Sequence, residues 1–317
     1  MTRKMKLAVG IDIGGTNTVF GLVDESGNCL LQDAVKTGDF PAVEDFVNEV
    51  QKGVKGLISE YKDSEIVGMG IGAPNANYFT GTIEHAPNLK WKGIVPLVEL
   101  FQGHFDFPIS LTNDANAAAM GERIYGAAKG IDDLAMVTLG TGLGSGFVVN
   151  GELVYGHDGF AGELGHVIVE KNGRLCGCGN RGCLETYASA TGIVKTAKEF
   201  LETSSDSVLS GLSEITSKSI ADAALQGDKM ALDIFDYTAE KLGFGLASMV
   251  AITSPKLIVL FGGLAQSGDL ILKPTKKYME QYLLKTFRNK IDIVPSQLKA
   301  ADAAILGASS LAWQSVN

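Results

Sequence analysis

The sequence predicts an α/β protein of two domains, and three observations lead to this prediction. Strand-like and helix-like stretches alternate along the chain. A unit of strand, glycine turn and strand occurs twice, first around Asp12 and again around Thr141. The chain has 317 residues, enough for two domains of roughly 100–200 residues each. We therefore expect an internal duplication of one α/β domain.

The first half of the chain has five predicted strands and two predicted helices. The segment from Val43 to Tyr61 carries apolar residues at helical spacing, and the segment after Ile109–Thr112 is rich in alanine. The predicted strands are Lys6–Ile13, Thr18–Asp24, Cys29–Lys36, Glu65–Gly72 and Ile109–Thr112, and the helices are Val43–Tyr61 and Asn113–Ala128.

The second half repeats this theme of strand, turn and helix. The predicted strands are Leu134–Gly140, Ser145–Asn150, Lys256–Phe261 and Ile291–Val294, and the helical segments are Ser219–Ile252, Pro274–Arg288 and Ala300–Ser315. Ser219 and Asp222 are spaced like a capping box at the start of the first of these helices. Because no low-complexity linker separates the halves, we expect the domains to share a cleft.

Charge and apolar patterning exclude several classes of protein. A formal net charge of −9 argues against a broad nucleic-acid-binding surface and against a basic membrane patch. The longest mostly apolar run, Leu242–Ile252, is far shorter than the roughly 18 residues of a membrane span. No targeting segment is visible, so we expect a cytoplasmic protein.

The two glycine turns are candidates for phosphate binding. The 39 glycines of the chain exceed the usual share of roughly 7%, and many lie in these turns. A turn without Cβ atoms lets backbone amides point at phosphate oxygens, although Gly-Gly is also a common hairpin turn. Asp12 would repel a phosphate unless a cation such as Mg²⁺ lies between them. Neither a P-loop nor a dinucleotide fingerprint is present.

These turns resemble the nucleotide motifs of the sugar kinase, actin and Hsp70 ATPase superfamily. The matching segments are Asp12-Ile-Gly-Gly-Thr16, Leu139-Gly-Thr-Gly-Leu-Gly-Ser-Gly146 and Phe261-Gly-Gly263. The resemblance implies two RNase-H-like domains, each with a mixed β-sheet flanked by helices, and ATP in the cleft between them. It divides the chain into 1–115 plus 303–317 and 116–302. The implied ATP-binding residues are Asp12, Gly14, Gly15, Thr16, Asn17, Thr141, Gly142, Gly262 and Gly263.

A cluster of histidine and cysteine predicts a metal site. His166, Cys176, Cys178 and Cys183 have the spacing H-x9-C-x-C-x4-C, which suits a closed tetrahedral Zn²⁺ site. The alternative is three unrelated buried thiols, which a polar and glycine-rich loop disfavours. A closed coordination shell predicts a structural metal that orients the residues around it.

The metal loop narrows the resemblance to the ROK family, which contains repressors and sugar kinases. Its signature is similar to Gly162-Glu-Leu-Gly-His166 followed by Cys176-Gly-Cys-Gly-Asn-Arg-Gly-Cys-Leu-Glu185. The resemblance implies that Asp114 is the base toward the sugar 6-hydroxyl, although Asn113 or Asp114 could instead be an ordinary helix N-cap. The implied sugar-binding residues are Asn88, Asn113, Asp114, Glu163, His166 and Glu185.

The predicted function is ATP-dependent phosphorylation of a hexose at its 6-hydroxyl, with Mg²⁺ at the phosphates. Glucose is the expected substrate, with breadth toward N-acetylglucosamine or mannose. The alternatives are an N-acetylhexosamine kinase, a fructokinase or a sugar-sensing repressor. Only eleven residues precede Asp12, too few for the helix-turn-helix domain that a repressor would carry there. The resemblance also implies a homodimer or homotetramer, and Asn75 departs from the glycine that is common there in the family.

Overall fold

A computed structural model describes residues 4–299 and 302–314, and its contacts divide the chain into two compact units. The first contains the described residues of Met1–Gly130, Leu153–Ala161 and Gln297–Asn317, and the second contains Ile131–Glu152 and Gly162–Ser296. The predicted domains instead change over at residue 115 and at residue 302, and those bounds stay a prediction. No helix in the described ranges is long and apolar enough to cross a membrane.

The elements alternate along the chain as expected. The strands are β1 (Lys6–Ile13), β2 (Thr18–Asp24), β3 (Cys29–Val35), β4 (Glu65–Ala73), β5 (Ala76–Asn77), β6 (Thr82–Glu84), β7 (Ile94–Val95), β8 (Ile109–Asn113), β9 (Leu134–Leu139), β10 (Leu143–Val149), β11 (Glu152–Leu153), β12 (Leu257–Phe261) and β13 (Asp292–Pro295). The helices are α1 (Val43–Ser59), α2 (Leu97–Gln102), α3 (Asp114–Tyr125), α4 (Ala190–Thr203), α5 (Ser217–Leu225), α6 (Lys229–Thr253), α7 (Asp269–Tyr282) and α8 (Ala303–Gln314).

The first unit is built on a mixed sheet in the order β3-β2-β1-β4-β8. β1 pairs antiparallel with β2 and parallel with β4, and β4 pairs parallel with β8. Alternate residues of a strand point to opposite faces, so β1 contributes to two separate cores. Leu7, Val9 and Ile11 are buried in the core that also contains α1. Ala8 belongs instead to the cluster that contains Trp313 of α8.

The second unit repeats this strand arrangement. Its sheet has the order β11-β10-β9-β12-β13, with β9 antiparallel to β10 and parallel to β12, and β12 parallel to β13. The buried side chains of α4 to α7 form its hydrophobic core together with those of β9 and β12. The two mixed sheets of equivalent topology agree with the predicted α/β class and with the predicted duplication.

Several predicted elements need correction. The segment Ser219–Ile252 is two helices, because Gly227 adopts a φ of +87° and the side chain of Asp228 caps α6 through the amide of Ala231. The capping box of α5 pairs Thr216 with Ser219, so the predicted pair Ser219 and Asp222 is wrong.

Other bounds also differ from the prediction. Helix α7 begins at Asp269, includes Pro274 and ends at Tyr282, well before the predicted end at Arg288. The helix predicted from residue 300 begins at Ala303, and residues 300, 301 and 315 lie outside the described ranges. The small sheet β5-β6-β7 and the helices α2 and α4 were not predicted.

Candidate active site and metal centre

The first glycine turn joins β1 to β2 and is closed by its own backbone. The amide of Gly14 donates a hydrogen bond to the carbonyl of Asn17 at 3.0 Å. A Cβ atom on Gly15 would lie 2.6 Å from the carbonyl oxygen of Asn88, so only glycine fits against that segment. The side chains of Thr16 and Asn17 are exposed. The turn therefore has one packed side, toward Asn88, and an open tip.

Asp12 and Asp114 lie at the same edge of the first sheet. β1, β4 and β8 run parallel, so their carboxyl ends meet at one edge; Asp12 is near the end of β1 and Asp114 directly follows β8. Burial, together with the charge of Asp114, raises the pKa of Asp12 to about 7. This edge thus holds two carboxylates whose pKa values are both raised, a pattern typical of functional sites.

Asp114 is the first residue of α3, and local capping fixes its backbone. Asn113 is the N-cap, and its side-chain oxygen accepts a hydrogen bond from the amide of Ala115 at 2.9 Å. The alternative that Asn113 is a helix cap is therefore correct for that residue. Desolvation by the surrounding protein raises the pKa of Asp114, and hydrogen bonds from backbone amides partly offset this increase. Its side chain still reaches solvent, which leaves the carboxylate free to meet a ligand.

The second glycine turn, between β9 and β10, is bonded to two neighbouring segments. The carbonyl of Gly140 accepts from the amide of Ala190 at 2.8 Å, and the carbonyl of Thr141 accepts from the hydroxyl of Thr191 at 2.8 Å. The amide of Leu143 donates to Oε2 of Glu185 at 3.0 Å. The start of α4 and the Glu185 carboxylate thus hold this turn in place.

Gly262 and Gly263 follow β12, next to the second turn in the same sheet. Gly262 has a φ of +99°, and a Cβ atom there would lie 2.7 Å from the carbonyl oxygen of Leu139. Both constraints require glycine at this position. Gly263 has open space where a Cβ would be.

The structure brings the four predicted metal ligands together. Nδ1 of His166 and the sulfurs of Cys176, Cys178 and Cys183 all lie within 4.8 Å of one another. The sulfurs of Cys178 and Cys183 are 3.6 Å apart. Tetrahedral Zn–S bonds of about 2.3 Å place two sulfurs about 3.8 Å apart, so this spacing fits Zn²⁺.

Two of the predicted sugar ligands also lie at this cluster. Nε2 of His166 is 3.9 Å from Oε2 of Glu163, on the side of the imidazole away from the cysteines. Oε1 of Glu185 is 3.7 Å from the sulfur of Cys176, while its Oε2 accepts the Leu143 amide. Glu185 therefore joins the metal loop to the second glycine turn. The sequence pattern gave no signal for this bond, because the two residues are distant in the chain.

Comparison with known proteins identifies the family. The model of the ROK family matches residues 8–315. The chain belongs to the ROK family. A glucokinase of Streptomyces coelicolor is 38% identical over 97% of this chain and 98% of its own length. The xylose repressor of Bacillus subtilis is 28% identical over 98% of this chain and 77% of the repressor.

A solved structure of a ROK family member has the same fold. The crystal structure of a ROK family glucokinase from Streptomyces griseus, in complex with glucose and AMPPNP, matches with a TM-score of 0.79. It is 36% identical, and the match covers 97% of this chain and 99% of that chain. The two-domain α/β architecture predicted from the glycine turns and the metal loop is thereby confirmed.

Proposed function

We propose that this ROK protein transfers the γ-phosphoryl group of ATP to the 6-hydroxyl of a hexose, and that the hexose is glucose. The observation that carries this proposal is the position of Asp114, an accessible carboxylate at the end of β8 beside the phosphate turn that follows Asp12. The similarity to glucokinases over nearly the whole chain supports both the reaction and the substrate.

Phosphoryl transfer to an alcohol requires an oriented hydroxyl, a proton acceptor and neutralisation of the phosphate charge. Asp114 accepts the proton of the 6-hydroxyl at the carboxylate oxygen that does not bond to the Ala115 amide, and its raised pKa makes it a stronger base than an ordinary carboxylate. The amide of Gly15 and the hydroxyl of Thr16 bind phosphate oxygens, while the amide of Gly14 closes the same turn through its bond to Asn17. Thr141 and Gly142 of the second glycine turn also bind phosphate oxygens. Gly263, with open space at its Cβ position, approaches the adenosine together with Gly262.

Mg²⁺, when bound with ATP, neutralises the charge of the phosphates next to Asp12. The two carboxylates fit such an ion, because each has a raised pKa that a nearby cation would lower. Asp12 serves as the carboxylate that faces the cation, which leaves Asp114 for the proton of the substrate.

The hexose is bound by Asn88, Asn113, Glu163, His166 and Glu185. Zn²⁺, when bound, holds Nδ1 of His166 with the three cysteines and fixes the tautomer of the ring. Nε2 of His166 then carries the hydrogen and donates a hydrogen bond to a sugar hydroxyl. Glu163, 3.9 Å from that nitrogen, accepts from a neighbouring hydroxyl.

A coupled assay of ADP release tests the proposal with glucose, mannose, fructose and N-acetylhexosamines. We expect ATP-dependent turnover that is fastest with glucose. A preference for an N-acetylhexosamine or for fructose would support the kinase activity but change the assigned substrate. No ADP release with any of these sugars from zinc-loaded protein would overturn the proposal.

The second candidate is a sugar-responsive repressor, because the xylose repressor of B. subtilis matches almost all of this chain. The two carboxylates at the sheet edge favour the kinase, since binding a sugar as an effector needs no proton acceptor. Sequence-specific DNA binding released by a sugar, together with no turnover, would favour the repressor.

A further inference from the structure

Arg174 is the most highly bonded side chain of the metal loop, although it is not one of the metal ligands. Its Nε donates to Oε1 of Glu199 at 2.8 Å, and one terminal nitrogen donates to the carbonyls of Thr186 at 2.7 Å and Gly192 at 3.2 Å. The other terminal nitrogen donates to the hydroxyl of Thr196 at 2.9 Å and to Oε2 of Glu199. All five N–H groups of the guanidinium are therefore used.

The same side chain is packed as well as bonded. Only 11% of the Arg174 side chain is exposed, and its guanidinium carbon lies 4.4 Å from the centre of the Tyr187 ring. The amide of Arg174 also donates to the hydroxyl of Tyr187 at 3.0 Å. A planar guanidinium can stack and donate in five directions at once, whereas the ammonium of a lysine cannot.

The partners of Arg174 are on two segments that both reach the second glycine turn. Gly192, Thr196 and Glu199 are spaced along one face of α4, and the first residues of α4 bond to the carbonyls of Gly140 and Thr141. The carbonyl of Thr186 belongs to the turn that contains Glu185, whose carboxylate accepts the amide of Leu143.

We propose that Arg174 is a positioning residue for the nucleotide, acting on the turn 140–143 through α4 and the Leu184–Thr186 turn. This inference rests on the proposed function, because it assumes that the turn binds phosphate. Arg174 lies two positions before Cys176, so it links the loop that holds the metal to the turn that holds the phosphates. Among the described residues, its side chain has no hydrogen bond to the metal cluster or to the turn 140–143.

The test is calorimetric binding of Mg·AMPPNP to zinc-loaded Arg174→Lys, with zinc content and glucose affinity measured on the same samples. We expect the Kd for AMPPNP to increase about fivefold, within the range for residues that touch neither ligand. Zinc content stays at the wild-type value and glucose affinity changes less than about twofold, because the ligands of both are intact. In steady state the KM for ATP increases with the Kd while kcat is largely retained.

Arg181→Lys is the matched control. Arg181 lies in the same loop, but it is exposed and its guanidinium donates to the carbonyl of Gly173 at 3.3 Å, with no bond to α4. We expect this variant to bind AMPPNP like the wild type. Glu199→Gln is a milder change, made on the carboxylate that accepts from Arg174. It should also increase the Kd for AMPPNP, by a smaller factor than Arg174→Lys.

A double-mutant cycle tests the route through α4. Thr191→Val removes the hydroxyl that bonds to the carbonyl of Thr141. In that background Arg174→Lys should weaken AMPPNP binding by a smaller factor than it does in the wild type. An equal factor in both backgrounds would overturn the inference.

Two further outcomes would also overturn it. Unchanged AMPPNP affinity in Arg174→Lys with a lower melting temperature would make the residue purely structural. If Arg174→Lys lost zinc and glucose affinity together with nucleotide affinity, the substitution would have disrupted the metal loop itself and not the contact with α4. The wild-type protein distinguishes these outcomes from a failure of the proposed function. Wild-type protein that neither binds AMPPNP nor releases ADP would overturn the proposed kinase activity.

Discussion

Asp12 and Asp114 lie on either side of Gly72, a residue of the strand between them. A Cβ atom on Gly72 would lie 3.4 Å from Oδ1 of Asp12 and 3.6 Å from Cα of Asp114. These are van der Waals distances, so both aspartates line the same position of β4 at one sheet edge. Burial, together with the nearby charge of Asp114, raises the pKa of Asp12. Removing each carboxylate in turn tests the role of each residue.

Replacing Asp114 with asparagine should lower kcat by at least about 10²-fold, the low end of general-base effects. The amide keeps the size of the side chain but cannot accept the proton of the 6-hydroxyl. Steady-state measurement of ADP release at saturating glucose and ATP gives kcat for both proteins. Asp106→Asn, the same exchange at an exposed position, should keep wild-type turnover. Near-normal turnover in Asp114→Asn would remove this residue from the role of base.

Replacing Asp12 with asparagine should stabilise the protein increasingly as the pH rises from about 4 to about 7. The folded pKa of Asp12 is about 7 and the ordinary value is 3.8, so between these values the folded state binds more protons than the unfolded state. The unfolding free energy of the wild type therefore falls as Asp12 loses its proton, and asparagine has no proton to lose.

This difference can be measured by urea unfolding at about pH 5 and about pH 8, without Mg²⁺ or nucleotide. We expect the gain in stability of Asp12→Asn over the wild type to be larger at the higher pH. Asp106→Asn should show no such change with pH. An equal gain for Asp12→Asn at both pH values would contradict the raised pKa.

The sequence predicted the parts of this molecule that depend on local chemistry. Thiol and imidazole spacing within one loop was enough to select four candidate metal ligands, and the structure places those four groups together. The hairpins around Asp12 and Thr141 were also predicted, because glycine turns between apolar strands are a short-range signal.

The parts that depend on distant contacts could not be predicted. The pKa of Asp12 depends on burial and on Asp114, a residue on another strand. Four of the five guanidinium hydrogen bonds of Arg174 join a loop to α4, a helix that was not predicted at all. The break between α5 and α6 was missed because the apolar pattern continues across it, and only the backbone at Gly227 and the cap at Asp228 interrupt the helix.

Purified protein should contain about one Zn²⁺ per chain, and Cys178→Ser should lose it together with most of the affinity for glucose. Without a metal, burial raises the pKa of Cys183 to about 12, so loading Zn²⁺ must displace a proton from that thiol. Elemental analysis measures the zinc content, and proton release on adding Zn²⁺ to metal-free protein measures the loss of the thiol proton. Cys29→Ser, which changes a cysteine far from the loop in sequence, should keep both metal and affinity. Full activity of a metal-free preparation would contradict a role for the metal.

The packing of α8 on the first sheet should be intolerant of a single methyl group. A Cβ atom on Gly70 of β4 would overlap the carbonyl oxygen of Ala308, and the backbone of a helix cannot move aside as a side chain can. We expect Gly70→Ala to lower the unfolding free energy by about 1–3 kcal/mol, the usual cost of overpacking.

Gly56→Ala is the opposite case, because Gly56 is exposed in α1 with open space at its Cβ position. That variant should gain about 0.5–1 kcal/mol, since glycine is costly within a helix. Urea unfolding of both variants under one set of conditions decides the matter, and equal stability of the two would show that α8 does not pack this closely on β4.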